Sequence, residues 1–142
     1  MSLTPRQAAF LAAQRMGHLS TADAAGRPHV IPVCYAVVGQ RVYIAIDEKP
    51  KRTAPRGLKR VRNIAENPHV ALVVDRYQDD WAKLGYVLVL GRARVIESGE
   101  EHRLAIQALR RRYPQYLGMA LEERPVIEIQ VQRSVEWGDL GS

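Results

Sequence analysis

Between Pro28 and Val38 the chain places Val30, Ile31, Val33, Tyr35, Val37 and Val38 with almost no polar residue among them. β-Branched residues in an extended run read as a strand. The missing polar alternation means that both faces of that strand are covered. A strand on the wet surface of an open sheet would alternate. This one calls for a closed barrel or for contact with a second subunit. Pro32 has no amide donor, which predicts a bulge or a gap in the ladder.

The remaining segments fit around that strand. Thr4-Pro5-Arg6-Gln7 opens a helix, with Thr4 as N-cap, Pro5 in the first turn and Gln7 completing a capping box. Ala8, Leu11, Ala12 and Met16 can share one face of it, and Gly17 reads as its stop. His18 to Ala22 is a short extended segment. Asp23-Ala24-Ala25-Gly26-Arg27 reads as a turn, and Val38-Gly39-Gln40-Arg41 as a tight hairpin. Val42, Ile44 and Ile46 mark a third strand, and Val70, Leu72 and Val74 a fourth. Tyr86 to Ile96 forms a long strand or strand pair with Gly91 at a bend or bulge. Ile127, Ile129 and Val131 mark the last strand, with Trp137 in the tail. From Gly57 the period changes to helical, with Leu58, Val61, Ile64 and Ala65 on one face and Lys59, Arg60, Arg62 and Asn63 on the opposite arc. Asn67-Pro68 ends that helix. Ser98-Gly99-Glu100-Glu101 reads as a second capping box, starting a helix with Leu104, Ala105, Ala108 and Leu109 inward; Arg110 to Arg112 close it toward solvent. Six strands joined mostly by hairpin-length turns, with little alternation of strand and helix, predict a mainly β (α+β) fold. The expected architecture is an antiparallel sheet or barrel with peripheral helices.

Charge is concentrated. Residues 49 to 62 hold seven cations (Lys49, Lys51, Arg52, Arg56, Lys59, Arg60 and Arg62) and no acid, whereas the other 14 cations are matched by 15 acids. One basic site on a near-neutral body points to an anionic partner. A Gly-containing loop leading into a short helix adds free amides and a favourable dipole, so a phosphate is the expected ligand. A solvated helix face is the plain alternative. Nucleic acid is the other, and it is disfavoured because no aromatic lies within the stretch to stack on bases. At 142 residues with 46% hydrophobic and 25% charged residues, one soluble domain spanning 1–142 is expected. No run is apolar enough to span a membrane, and no apolar targeting run follows the N-terminus, so a cytoplasmic location is expected. A single cysteine, Cys34, excludes an intrachain disulfide and reads as a small core residue. His18, His29, His69 and His102 show no metal-ligand spacing, so no metal is expected.

Residues 17 to 33, Gly-His-Leu-Ser-Thr-Ala-Asp-Ala-Ala-Gly-Arg-Pro-His-Val-Ile-Pro-Val, resemble the opening hairpin of the pyridoxamine-phosphate-oxidase-like split-barrel flavoproteins. Residues 58 to 72 resemble the phosphate-binding helix of that family and the strand after it. Asp47 to Arg52 and Arg112-Tyr113-Pro114-Gln115-Tyr116 resemble a branch associated with the 5-deazaflavin coenzyme. The resemblance spans about residues 14 to 137 in order. It implies a six-stranded split β-barrel that forms a homodimer, with FMN or the deazaflavin (coenzyme F420) held between the subunits. By position, it implies that Arg60 takes the place of the family's phosphate-binding lysine, beside Lys59, Arg62 and Asn63. Lys49 and Lys51 are further candidates for the phosphate or for an anionic coenzyme tail. His29, Val30, Ile31, Pro32 and Val33 would pass along the ring system. Trp81 and Trp137 would supply aromatics from the partner subunit. The implied activity is hydride transfer between the coenzyme and a small molecule, with positioning rather than a protein nucleophile as the chain's contribution. This agrees with the absence of any Ser-His-Asp order, Gly-x-Ser-x-Gly or paired-carboxylate motif. FMN-dependent chemistry and a non-catalytic flavin or haem-related binder remain as alternatives.

Overall fold

The computed structural model describes residues 2–47 and 57–141. Its elements are α1 (Pro5–Ala13), β1 (Gly17–Ala22), β2 (Pro28–Val33), β3 (Ala36–Val38), β4 (Arg41–Ala45), α2 (Lys59–Glu66), β5 (His69–Arg76), β6 (Gly85–Ile96), α3 (Glu100–Arg112) and β7 (Val126–Gly138). Short 3-10 turns cover Trp81–Lys83, Pro114–Gly118 and Leu121–Glu123. Among the described residues the seven strands form one antiparallel sheet in the order β2-β1-β5-β6-β7-β4-β3.

That order requires the sheet to curl. Laid flat, seven strands at about 4.8 Å spacing would hold β2 and β3 roughly 29 Å apart. Yet β2 ends at Val33 and β3 begins at Ala36. Three Cα steps reach roughly 11 Å at most. The edges therefore come round to meet, and the sheet is a split barrel.

The six strands read from the sequence become seven because the expected Pro28–Val38 strand is two. It breaks at Cys34-Tyr35, where the chain crosses from one edge of the sheet to the other. Tyr35 fastens the crossing. It is fully buried, its hydroxyl donates to Leu11 O at 2.5 Å, and its N–H donates to the Tyr113 hydroxyl at 3.1 Å. The Arg112 guanidinium lies 5.0 Å over the Tyr35 ring and also donates to the carbonyls of Ala12 and Gln14. Arg112 is thus a clamp between α1 and α3, and Arg110 bonds Glu122 and the carbonyls of Tyr116 and Met119. Of the three arginines expected to face solvent, only Arg111 is exposed.

Pro32 causes no gap. It pairs with His18 in edge strand β2, where a missing amide on the outer side costs no ladder bond. The bulge falls instead at Gly91, as its residue type suggested, where the β6–β7 register skips Gln132. The Gly39 hairpin also forms; Gly39 has φ 61 and Val38 pairs with Arg41.

Helix details differ from simple periodicity. The Thr4 capping box is present, but α1 ends at Ala13 rather than Gly17 and buries Gln7, Phe10 and Leu11. Helix α3 begins on Gly99 at φ 100 without a side-chain cap, and buries His102, Ala105, Ile106 and Leu109, leaving Leu104 exposed. The last strand is longer than its alternation showed, and Trp137 belongs to it. Leu19, Val42, Ile44, Leu72, Val87, Val89, Ile127 and Ile129 fill the barrel. Helix α3 covers a second cluster outside β3, β4 and β7.

Candidate functional site

Helix α2 is two turns long and docks along the β1–β2 hairpin. Asn63 Nδ2 donates to Thr21 Oγ1 at 3.0 Å, and Glu66 accepts from the Ala24 amide at 3.0 Å. Lys59 Nζ stands 3.8 Å from Asp23 Oδ2. Positions 59, 63 and 66 recur at four and three, so they form one stripe of the helix. Lys59 and Asn63 of this stripe belong to the arc that periodicity placed opposite the apolar face. Apolar spacing finds the face that meets a hydrophobic core, but it cannot see a polar face that meets a hairpin. Asn63 is therefore 0% exposed and Arg60 only 4%, whereas Ala65, expected inward, is exposed.

Thr21 is the junction of the site. Its side chain takes the Asn63 bond, and across the ladder it pairs with His29. Directly opposed residues of antiparallel strands point to the same face, with Cβ atoms about 5 Å apart. Asn63, Thr21 and His29 therefore crowd one side of the hairpin. Two buried atoms there lack hydrogen-bond partners, Asn63 Oδ1 and His29 Nδ1. Buried polar atoms without partners are rare in folded proteins, and a water or a bound group is the usual partner for one.

The charged groups are arranged around this point. Lys59 is 41% exposed at the side chain and Arg62 is exposed, both on α2 with Arg60 between them. Asp23 accepts from the Arg27 side chain at 2.8 Å and from the amides of Arg27 and Ala25 at 2.9 and 3.0 Å. The Arg27 hydrogen bonds hold its carboxyl down to about 2. Thr21 and Asp23 join the candidate site, and the sequence reading gave them no role in it. Aspartate at the head of an Ala-Ala-Gly-Arg turn was a usable signal, since such a side chain commonly bonds the amides that follow it.

The other expected residues separate. Along β2 the side chains of His29, Ile31 and Val33 turn inward, whereas Val30 and Pro32 turn out; Val30 is 62% exposed. Trp137 stacks on Tyr86 at 6.0 Å, and Trp81, 72% exposed, donates to the Tyr77 hydroxyl at 3.4 Å. Both lie on the β5–β6 loop side of the sheet, with Gly85 paired to Gly138. Lys49 and Lys51 lie outside the described residues. Two clefts of about 730 and 720 Å³ line α3 and the α1–β3 groove, and neither includes a residue of α2 or β2.

A curled seven-stranded antiparallel sheet with a basic helix docked on its first hairpin defines a split-barrel protein. The sequence model of the pyridoxamine 5'-phosphate oxidase family matches residues 3–138, and the chain belongs to that family. A protein of Streptomyces rimosus, described as 5a,11a-dehydrotetracycline/5a,11a-dehydrooxytetracycline reductase, is 31% identical over 104 residues. That match covers 72% of this chain and 70% of the relative. The fold matches a conserved hypothetical protein of Mycobacterium tuberculosis at TM-score 0.77 and 20% identity, over 96% of this chain and 85% of that one. It matches the haem storage protein HutZ of Vibrio cholerae at TM-score 0.74 and 18% identity, over 97% and 95%. It also matches an FAD-binding protein of Mesorhizobium loti at TM-score 0.69 and 22% identity, over 96% and 95%.

Proposed function

We propose that this chain is an oxidoreductase that binds a phosphate-bearing coenzyme, the deazaflavin coenzyme F420 in preference to FMN, between α2 and the β1–β2 hairpin of a homodimer. The observation that carries this reading is the convergence at Thr21. Two partnerless buried polar atoms, Asn63 Oδ1 and His29 Nδ1, flank it, and Lys59, Arg60 and Arg62 are carried on the same helix as Asn63. The donor set fits the ligand. The cations and the start of α2 suit a phosphate. Asn63 Oδ1 is an acceptor, so it suits a hydroxyl of the coenzyme's sugar-alcohol chain and not the phosphate itself. Partly buried Ile31 offers an apolar edge on β2.

When bound, the coenzyme supplies the hydride chemistry. The protein's part is to fix the phosphate, orient the ring and keep water from it. In the proposed homodimer a partner would add a second wall beside α2 and β2. The outward apolar row of Pro32, Val73, Leu88 and Val135 suits that contact, since these residues stand side by side in the sheet register with only His18 among them. The excess of cations favours the deazaflavin, which carries an anionic tail. The Streptomyces relative supports a reductase acting on a tetracycline-type polycyclic acceptor, with exposed Trp81, Tyr77 and Trp137 as flat apolar surfaces for such a molecule.

Titration of the purified protein with FMN, riboflavin and coenzyme F420, followed by absorbance and fluorescence, tests the reading. Phosphate-bearing ligands bind and riboflavin binds more weakly. Arg60→Ala lowers the affinity for phosphate-bearing ligands about ten- to a hundredfold, the equivalent of losing one charge-assisted hydrogen bond of roughly 1.5–3 kcal/mol. Because Arg60 is buried, Arg62→Ala serves as a second variant. Binding of haemin with no response to any of the three ligands would move the protein to the class of non-catalytic binders.

A further inference from the structure

We propose that Asp23 is a built-in competitor for the coenzyme's phosphate, holding Lys59 while the site is empty and so setting how tightly the anion binds. This rests on the reading that a phosphate binds beside α2. The two partners are unequal in mobility. The Asp23 carboxylate is fixed by three hydrogen bonds, from the Arg27 side chain and from the amides of Arg27 and Ala25, and is almost fully buried. Lys59 is half exposed, and its Nζ lies 3.8 Å from Asp23 Oδ2. That is too long for a hydrogen bond but close enough for attraction. The lysine is therefore held by charge alone and can swing to another anion. The carboxylate cannot follow it.

The remaining partners of the Asp23 carboxylate belong to its own turn. Arg27 is bonded to it directly through Nε, and the two amides belong to the turn itself. Among the described residues, Lys59 is the cation that reaches this carboxylate from the start of α2, where the phosphate is proposed to bind. Asp23 therefore acts through Lys59, as a positioning residue. Moving Lys59 from one anion to the other lowers the net gain on binding. A chain with this arrangement releases its coenzyme more readily than its count of cations would suggest.

The test is a double-mutant cycle read by equilibrium binding. Asp23→Asn keeps Oδ1 as an acceptor for the Ala25 and Arg27 amides, so the turn is retained while the charge is lost. In the wild-type background it tightens FMN and coenzyme F420 binding by about two- to fivefold, the range of an exposed ion pair. Riboflavin binding does not change. In a Lys59→Met background Asp23→Asn has no effect on any of the three ligands, because the two residues act as one unit. Unchanged or weaker FMN binding in Asp23→Asn overturns the proposal, and so does an equal gain in the Lys59→Met background. A wild-type protein that binds neither FMN nor coenzyme F420 overturns the functional reading beneath it as well.

Discussion

Val33 ends one edge strand of the sheet and Ala36 begins the other, with only Cys34 and Tyr35 between them. The closure of the barrel is covalent at this point rather than hydrogen-bonded. Its strength depends on what holds Tyr35, and one holder of its backbone is the Tyr113 hydroxyl, which accepts from Tyr35 N at 3.1 Å and lies 3.0 Å from Tyr35 O. Tyr113→Phe leaves a buried amide without an acceptor. The expected loss is about 1–3 kcal/mol of unfolding free energy, measured by urea denaturation. A midpoint equal to that of the wild type would show that the crossing is held by packing alone.

Gly91 stands where the β6–β7 register slips, and a Cβ there would lie 2.2 Å from Gln130 O. The obstacle is backbone, so no side chain can turn aside. Gly91→Ala must displace one strand, at a cost of about 1–3 kcal/mol, comparable to overpacking a core. Thermal melting reads the effect. Gly26→Ala makes a useful contrast: nothing lies near its Cβ, so any loss there comes from its φ of 82 and not from contact.

Val30 projects from edge strand β2 on the outward apolar face. If that face meets a second copy, Val30→Glu sets two like charges near the contact and shifts the protein toward monomer. Sedimentation velocity at a series of concentrations shows the change. Coenzyme affinity falls in parallel, because the site then lacks its second wall. A variant that dissociates and still binds FMN at wild-type strength would separate the site from the interface.

Asp23 and Glu122 are both held down to about 2 by arginine hydrogen bonds, from Arg27 and Arg110 respectively. Their ordinary values are 3.8 and 4.5. A carboxyl whose folded value is depressed stabilises the fold fully above its unfolded value. That contribution is lost as pH falls through the folded one. The Asp23→Asn, Glu122→Gln double variant is therefore less stable than the wild type at pH 6, and the gap closes between about pH 4.5 and 2. Melting temperatures across that range show this; a gap that stays constant to pH 2 would contradict the ion-pair assignment.

The elements near the top of the chain were readable because their signals are local. Thr4, Pro5 and Gln7 cap α1 through groups within four residues, and Gly39 supplies the positive φ of its hairpin from its own backbone freedom. The bulge at Gly91 was readable for the same reason. The buried side of α2 was not. Its hydrophobic stripe was visible, and Arg60 and Asn63 were placed opposite it as candidate ligand contacts, but their burial was not readable because a helical period ranks polar side chains outward. Asn63 is buried against Thr21, some forty residues earlier, which presents a hydroxyl at the matching height.

The sequence by itself determined the family, the strand-rich class and the place where positive charge gathers, since each rests on residue type and short-range order. Only the tertiary structure decided that one apolar run is two strands on opposite sheet edges, and that Thr21, Asp23, His29, Lys59 and Asn63 share one corner. The reason is physical. Chain connectivity and periodicity act over a few residues, whereas the curl of the sheet and the docking of α2 arise from contacts between segments that only folding brings together.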